Sequence, residues 1–317
     1  MALLLGHTMG TPGFTISKAL DLFAASGLDG VEIIWQNDYT AAIPEYDTGQ
    51  IAARVKREAL QRGLRIGCLT PYITELNHLD EGVRQHGIER FRACIRTAAQ
   101  LDCPRIRVYG GALLDPDVDA NVPRKWSRLV DALGGLGGYA VEHGVILCVE
   151  NHFGTMAASA EDTARLVAEV DSPGVGILYD QANLTFTHRE DFEQAIRVQG
   201  PWIKHVHVKD LVFIHPDRVL TTGAVTHIDK ANRVHRSRMI GDGILDWPGI
   251  VERLRSIGYD GSYSLEYEYR WNPEDLPEPA IGFPESGRRL RALFGGVAGG
   301  PVPVATHETG DSPSPPR

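Results

Sequence analysis

Cysteine is scarce in this chain of 317 residues. The four present, Cys68, Cys94, Cys103 and Cys148, form neither a Cys-x-x-Cys pair nor a regular framework. That pattern argues against a disulfide scaffold or a cysteine-based zinc module, and predicts buried free thiols in a reducing compartment. No apolar run approaches the roughly 20 residues of a membrane-spanning helix. The opening run over 2–5 is too short for a secretory signal and has no basic lead-in, so a soluble, cytoplasmic protein with no membrane partner is expected. Basic charge is also short: 32 Lys and Arg stand against 41 Asp and Glu, a net charge of −9. Non-specific nucleic-acid binding depends on neutralising phosphates, so the acidic balance speaks against a nucleic-acid partner. No Gly-x-Gly-x-x-Gly turn follows the first strand-like run, which removes the main support for a dinucleotide-binding sheet.

What is present is alternation. Apolar content is 43%, ordinary for a globular protein and enough for a large core. Strand-like runs begin near Leu3, Val31, Leu64, Arg105, Val145, Val175, Ile203 and Gly261. Amphipathic helical stretches lie between them, over about 17–26, 49–62, 83–101, 124–143, 160–170, 189–197 and 247–257, with a last one near 287–294. Glycine follows several of them, as at Gly63 and Gly144, in the position that ends a helix. Eight strands each followed by a helix predict an α/β fold with parallel strands, and the count favours a closed (β/α)8 TIM barrel. One barrel domain is expected over 1–294. Within it, 211–240 is a long inserted loop after strand 7, rich in His, Arg and Thr, read as a lid or as a docking site for a small partner subunit. The tail over 295–317, rich in Gly, Pro and Ser, is expected to be disordered.

Four acid or imidazole groups stand at the ends of late strands: Glu150, Asp180, His207 and Glu266. A charged group so near the core must be paired, hydrogen-bonded or metal-bound. Three of them have an ordinary alternative: Glu150 as a helix cap or surface group, Asp180 as an N-cap, Glu266 in a surface hairpin. In His205-Val206-His207-Val208-Lys209-Asp210 the period of two sends His205, His207 and Lys209 to one side of the strand, away from the apolar helix-facing side. Active sites of such barrels lie at the carboxyl ends of the strands, where all four groups fall. Together they suggest a shared ligand. Three carboxylates and one imidazole are a mostly hard donor set, suited to one divalent cation, Mn²⁺ foremost, with Mg²⁺ and Co²⁺ as alternatives.

The ordered segments Val149-Glu150-Asn151-His152, Leu178-Tyr179-Asp180, His207-Val208-Lys209-Asp210, Gly241-Asp242-Gly243-Ile244-Leu245-Asp246-Trp247 and Tyr259 to Glu266 resemble the sugar isomerase/epimerase superfamily of xylose-isomerase-like barrels. The resemblance covers most of the carboxy-terminal half. It implies that Glu150, Asp180, His207 and Glu266 hold one divalent ion, with His207 preferred to His205 because it precedes Val-Lys-Asp. It also implies that Glu150 and Glu266 act as an acid/base pair on opposite faces of a sugar. The family's endonuclease branch needs further histidines at the third and fourth strand ends, where this chain has Leu69-Thr70-Pro71-Tyr72 and Val108-Tyr109-Gly110-Gly111.

The chain also departs from the ketohexose 3-epimerases. Asn183, Met156 and Phe213 stand where those enzymes carry a histidine, a glutamate and an arginine. Lys209, Asn183 and Arg238 are the candidate substrate contacts, and His152 is a candidate free base. Trp35, Tyr39, Phe153, Tyr179 and Phe186 either pack under the loops or line a site for a sugar carrying an aromatic group. Three functions are expected in order. The first is metal-dependent isomerisation or epimerisation beside the carbonyl of a sugar or keto-sugar. The second is elimination by the same enolate chemistry, as a keto-sugar dehydratase or the large subunit of a C-glycoside deglycosidase acting on 3-keto-glycosides. The third is a non-catalytic barrel that binds a sugar or protein partner. Association into an oligomer or with a small partner subunit is open at this stage.

Overall fold

The computed structural model describes residues 2–113, 120–218, 220, 225, 228 and 230–295. Eight parallel strands form its centre: β1 (Leu3–His7), β2 (Gly30–Trp35), β3 (Arg65–Pro71), β4 (Arg105–Tyr109), β5 (Ile146–Glu150), β6 (Val175–Asp180), β7 (Ile203–Val208) and β8 (Ser262–Leu265). Each starts within one residue of the position expected from the sequence. Neighbours pair in chain order, and β1 pairs with both β2 and β8, which closes the sheet into a barrel. The fold is the expected TIM barrel. A two-residue strand, Ala42–Ile43, extends the sheet beside β2.

The helices are α1 (Ile16–Ala25), α2 (Gln50–Gln61), α3 (Glu81–Gln100), α4 (Val122–Glu142), α5 (Ala160–Val170), α6 (Gln181–His188), α7 (Phe192–Gln199), α8 (Trp247–Ser256) and α9 (Pro279–Gly295). Short polar side chains start most of them. Thr15, Asp80, Ser159, Asp191 and Asp246 each accept from a backbone N–H of the first turn, satisfying donors that have no partner within the helix. Gly63 and Gly144 follow α2 and α4 at φ +71° and +68°, the left-handed conformation that ends a helix. Apolar faces then pack on the barrel. In α1 these are Ile16, Ala19, Leu20 and Phe23, with the Phe23 ring 4.8 Å from Phe283 of α9.

Two helices depart from expectation. α6 was not anticipated, because its eight residues show little segregation of apolar and polar positions; its cap at Asp180 was the visible signal. α9 begins eight residues before the expected start at Gly287. Pro279 opens the helix, where its missing N–H costs nothing, and Pro284 lies within it.

The long stretch after β7 contains an antiparallel hairpin of Asp210–Phe213 with His235–Arg238. A side cluster of Phe153, Ala182, Phe186, Leu211, Leu220 and Val234 packs beneath it. Asp275 anchors it by accepting from Arg233 and from Ser237 N. Gly295 ends α9, and the rest of the tail expected over 295–317, from 296 on, lies outside the described residues. All four cysteines are free and buried. Among the described residues no helix is long and apolar enough to cross a membrane.

Candidate metal centre

Each of the four strand-end groups is aimed by local backbone. Glu150 is the last residue of β5 and Asp180 the last of β6. Asp180 performs two tasks. Its Oδ1 caps α6 by accepting from Asn183 N (2.9 Å), so the helix start fixes the carboxylate, while Oδ2 has no aligned hydrogen bond. Asn151 braces the same residue: its Nδ2 donates to Asp180 O (2.7 Å) and its Oδ1 accepts from Asp180 N (3.2 Å). His207 comes from β7. Glu266 follows β8, where its N–H donates to Val208 O (3.0 Å).

The side chains converge. One ligand atom from each of Glu150, Asp180, His207 and Glu266 lies within 4.8 Å of the others, and all four residues are buried. His207 Nδ1 is central: 3.3 Å from Glu150 Oε1, 3.3 Å from Glu266 Oε2 and 3.8 Å from Asp180 Oδ2. Lys209 reaches the same point, its Nζ 2.7 Å from Glu266 Oε2, 2.9 Å from Asp180 Oδ2 and 3.5 Å from Glu268 Oε1.

These contacts set the charge states. Burial pushes the Asp180 carboxyl up to about 7, against the pull of Lys209. Burial alone would raise Glu150 and Glu266, but Arg107 holds Glu150 below the usual carboxylate range, and His207 and Lys209 do the same for Glu266. Burial would lower His207, yet Glu266 and Glu32 hold its imidazole well above the ordinary range.

A divalent cation fits this donor set. Three buried carboxylates share one point with an imidazole nitrogen, and the Asp180 oxygen facing it lacks a hydrogen bond. Such crowded negative charge requires positive charge among it. Lys209 and His207 supply it here, and a cation of charge two would supply it with the oxygen-rich coordination these residues favour.

A cleft of about 290 Å³ opens beside this cluster. Glu266 and Lys209 reach its wall, whereas Glu150, Asp180 and His207 are fully buried. Tyr72, Arg107, Tyr109 and Trp271 line it, as do Phe153, Phe186 and His235, and the hairpin stretch contributes Ile228, Lys230 and Arg233. Phe186 stacks on His235 with centroids 4.2 Å apart.

His152 also lines the cleft. Its Nδ1 is 2.9 Å from the Phe153 carbonyl, which can only accept, so Nδ1 carries the hydrogen and Nε2 keeps its lone pair. Burial, aided by Arg107 against Glu150, lowers this imidazole to about 4, so it is neutral near pH 7.

The remaining sequence candidates separate. Asn183 is fully buried and off the cleft wall; its Nδ2 donates to Glu150 Oε1 (3.2 Å) and Asn151 O (3.0 Å). Arg238 lines a small adjoining cavity and donates to Ser237 O. Of the aromatic candidates, Phe153 and Phe186 line the cleft. Trp35 and Tyr179 are core residues, and Tyr39 faces a separate surface cleft.

Two residues of the site were not singled out from sequence. Arg107, on β4, donates from Nε to Glu150 Oε2 (2.6 Å) and lies over the Tyr109 ring, 3.4 Å from its centroid. Glu32, on β2, lies 3.2 Å from His207 Nε2. Glu32 is the one charged residue inside an otherwise apolar strand, a signal that could have found it, whereas Arg107 shares its strand with Arg105 and did not stand out.

Comparison with known proteins bears on the fold and the family. The chain is 30% identical over 173 residues to inosose dehydratase of Geobacillus thermodenitrificans (strain NG80-2), covering 50% of each protein. The chain spans about half the length of the curated relatives it matches. Among solved structures, a D-psicose 3-epimerase crystallised in the presence of D-fructose superposes with a TM-score of 0.71 at 19% identity, covering 93% of this chain and 100% of that one. The 3-keto-D-glucoside 4-epimerase of E. coli gives 0.68 at 18% identity, covering 92% and 100%. Structural likeness at such identities speaks for the fold alone. The model of the xylose isomerase-like TIM barrel family matches residues 20–287, and the chain belongs to that family.

Proposed function

We propose that the protein is a divalent-metal-dependent enzyme that removes a proton from the carbon beside the carbonyl of a sugar or keto-sugar. The observation carrying this reading is the convergence of Glu150, Asp180, His207 and Glu266 within 4.8 Å beside a 290 Å³ cleft. A bound Mn²⁺, Mg²⁺ or Co²⁺ would draw electron density from a carbonyl oxygen and make the adjacent C–H more acidic. The protein's own groups supply the rest. Tyr72, Tyr109, Phe153 and Phe186 give the cleft an apolar wall against which a sugar face can rest. Lys209, at the wall with its charge retained, offers hydrogen-bond donors to a substrate oxygen. Arg107 and Asn183 hold the two oxygens of Glu150 in fixed directions. Incubation with keto-sugars in heavy water tests the reading: deuterium should enter the carbon beside the carbonyl only when metal is present. Absence of metal-dependent exchange across free ketoses and 3-keto-glycosides would refute it.

His152 favours elimination over epimerisation as the outcome. Epimerisation needs a working acid or base on each face of the substrate. Glu150 Oε2 is committed to Arg107, and Glu266 Oε2 to Lys209 and His207. His152 Nε2 offers a neutral lone pair at the cleft wall. It would take the proton from the carbon beside the carbonyl as the carbon–carbon double bond forms. The bond from the next carbon to its leaving oxygen then breaks, and that oxygen departs with the proton that His152 Nε2 gives back, so that water is lost overall and the base is restored. The partial match to inosose dehydratases accords with such a dehydration.

A further inference from the structure

Glu32 is the one charged residue in Gly30-Val31-Glu32-Ile33-Ile34-Trp35, and it is fully buried. The register of β2 against β3 slips between Val31 and Glu32, an irregularity of the kind that re-aims a side chain. Its carboxylate spans the barrel interior to β7, where His205 Nε2 lies 2.9 Å from Oε2 and His207 Nε2 lies 3.2 Å from Oε1. Thr70 donates to Oε1 from β3, and His7 Nε2 stands 3.5 Å away. A buried carboxylate survives only among donors, and this one has gathered polar partners from three strands, β1, β3 and β7.

The bonds are not equivalent. His205 is held at its other nitrogen by Ser262 Oγ (2.8 Å), and His7 Nδ1 accepts from Met9 N (3.0 Å), so both rings end in structural contacts. His207 alone presents its other nitrogen, Nδ1, to Glu150, Asp180 and Glu266. We propose that Glu32 is the positioning residue of the metal centre, fixing the ring orientation and tautomer of His207 through Nε2 so that Nδ1 faces the three carboxylates and its lone pair is free for a cation that displaces the Nδ1 proton. This role rests on the metal-centre reading above. A carboxylate behind a ligating imidazole orients the ring and raises its basicity, and losing such a partner weakens metal binding about 10- to 100-fold.

Titration of the metal-free full chain with Mn²⁺ tests it. Wild type should take up one ion, and Glu32→Gln, folded by near-ultraviolet circular dichroism, should bind about 10- to 100-fold more weakly. Ser262→Ala, which loosens only the outer contact of His205, should bind as wild type does. In nitrogen-labelled histidine spectra of the Mg²⁺-loaded protein, wild-type His207 should show a single tautomer with the proton on Nε2, and E32Q a mixture. The role is overturned by a folded E32Q that binds as tightly as wild type with the same single tautomer, or by an equal loss in S262A. Should E32Q fail to fold, Glu32→Asp decides the matter: it keeps the charge and shortens the reach, so weaker uptake supports the role and unchanged uptake overturns it. Wild type that takes up no Mn²⁺ removes the metal centre itself, a result distinct from a metal-binding wild type matched by E32Q.

Discussion

At His152 the structure separates two roles that a metal-bound carboxylate would otherwise have to combine. A carboxylate paired with a guanidinium gives up basicity, and Glu150 is so paired. The His152 imidazole also gives up basicity, through burial, but at about 4 it stays above Glu150, and a backbone carbonyl fixes its tautomer so that Nε2 keeps an unshared pair. Replacing His152 with Ala should therefore lower turnover about 10²- to 10⁴-fold, the range ascribed to general base catalysis, while the metal content of the purified protein stays at the wild-type level. Turnover close to wild type would take the base role away from His152. The groups that stand at strand ends in the carboxy-terminal half were legible in sequence, because a charge following an apolar run is conspicuous there. Glu32 and Arg107 were not, though Glu32 breaks an apolar strand. Glu32 acts across the barrel on His207, 175 positions away, and Arg107 acts on Glu150 of the neighbouring strand, 43 positions away. Closure of the sheet brings the first pair together and strand pairing the second, and no local period reports either.

Among the elements, the exit of β7 shows how one side chain can organise a long connection. Asp210 is buried, and its carboxylate accepts from the backbone N–H of Leu211, Gly241, Gly243 and Leu245 at 2.9, 3.0, 3.1 and 3.2 Å. It thereby ties the base of the hairpin to the turn that leads into α8. Gly243 has to be glycine, since an added Cβ would stand 2.0 Å from Asp210 Oδ1. This explains the Gly-Asp-Gly spacing that the sequence showed without a reason. Asp210→Asn keeps the volume but turns an amide toward backbone donors, leaving at least one unsatisfied. A loss of about 1–3 kcal/mol is expected, read as a lower urea midpoint; an unchanged midpoint would show that the turn holds without this carboxylate. The sequence correctly marked 211–240 as atypical in length and composition, but it could not place the hairpin. Its pairing joins Phe213 to His235, too far apart for any turn signal to report. Helices with a clear apolar face and a glycine stop were legible, whereas α6 forms from its cap and its packing.

Over the whole molecule, the barrel draws four carboxylates, Glu32, Glu150, Asp180 and Glu266, into its interior, and it must hold them there against mutual repulsion and lost hydration. In the absence of a cation, Lys209, Arg107 and His207 offset that charge. Lys209 Nζ lies against oxygens of two of the four groups proposed to hold the metal, so an incoming cation competes with an internal one. The stabilisation from binding is therefore the difference between two compensated states, smaller than the attraction between a bare cation and three free carboxylates. It should still be measurable. Free cation at one hundred times its Kd adds about 2.7 kcal/mol to a protein that binds it only when folded, enough to raise Tm by several degrees. Chelation with EDTA should reverse the rise. Replacing Lys209 with Met should lower the Tm of the metal-free protein and enlarge the increment gained on adding Mn²⁺, because the competitor is gone while the carboxylates remain. A Tm indifferent to Mn²⁺, Mg²⁺ and Co²⁺ would mean that Lys209 and His207 are the permanent counter-charges of these carboxylates and that no cation takes their place.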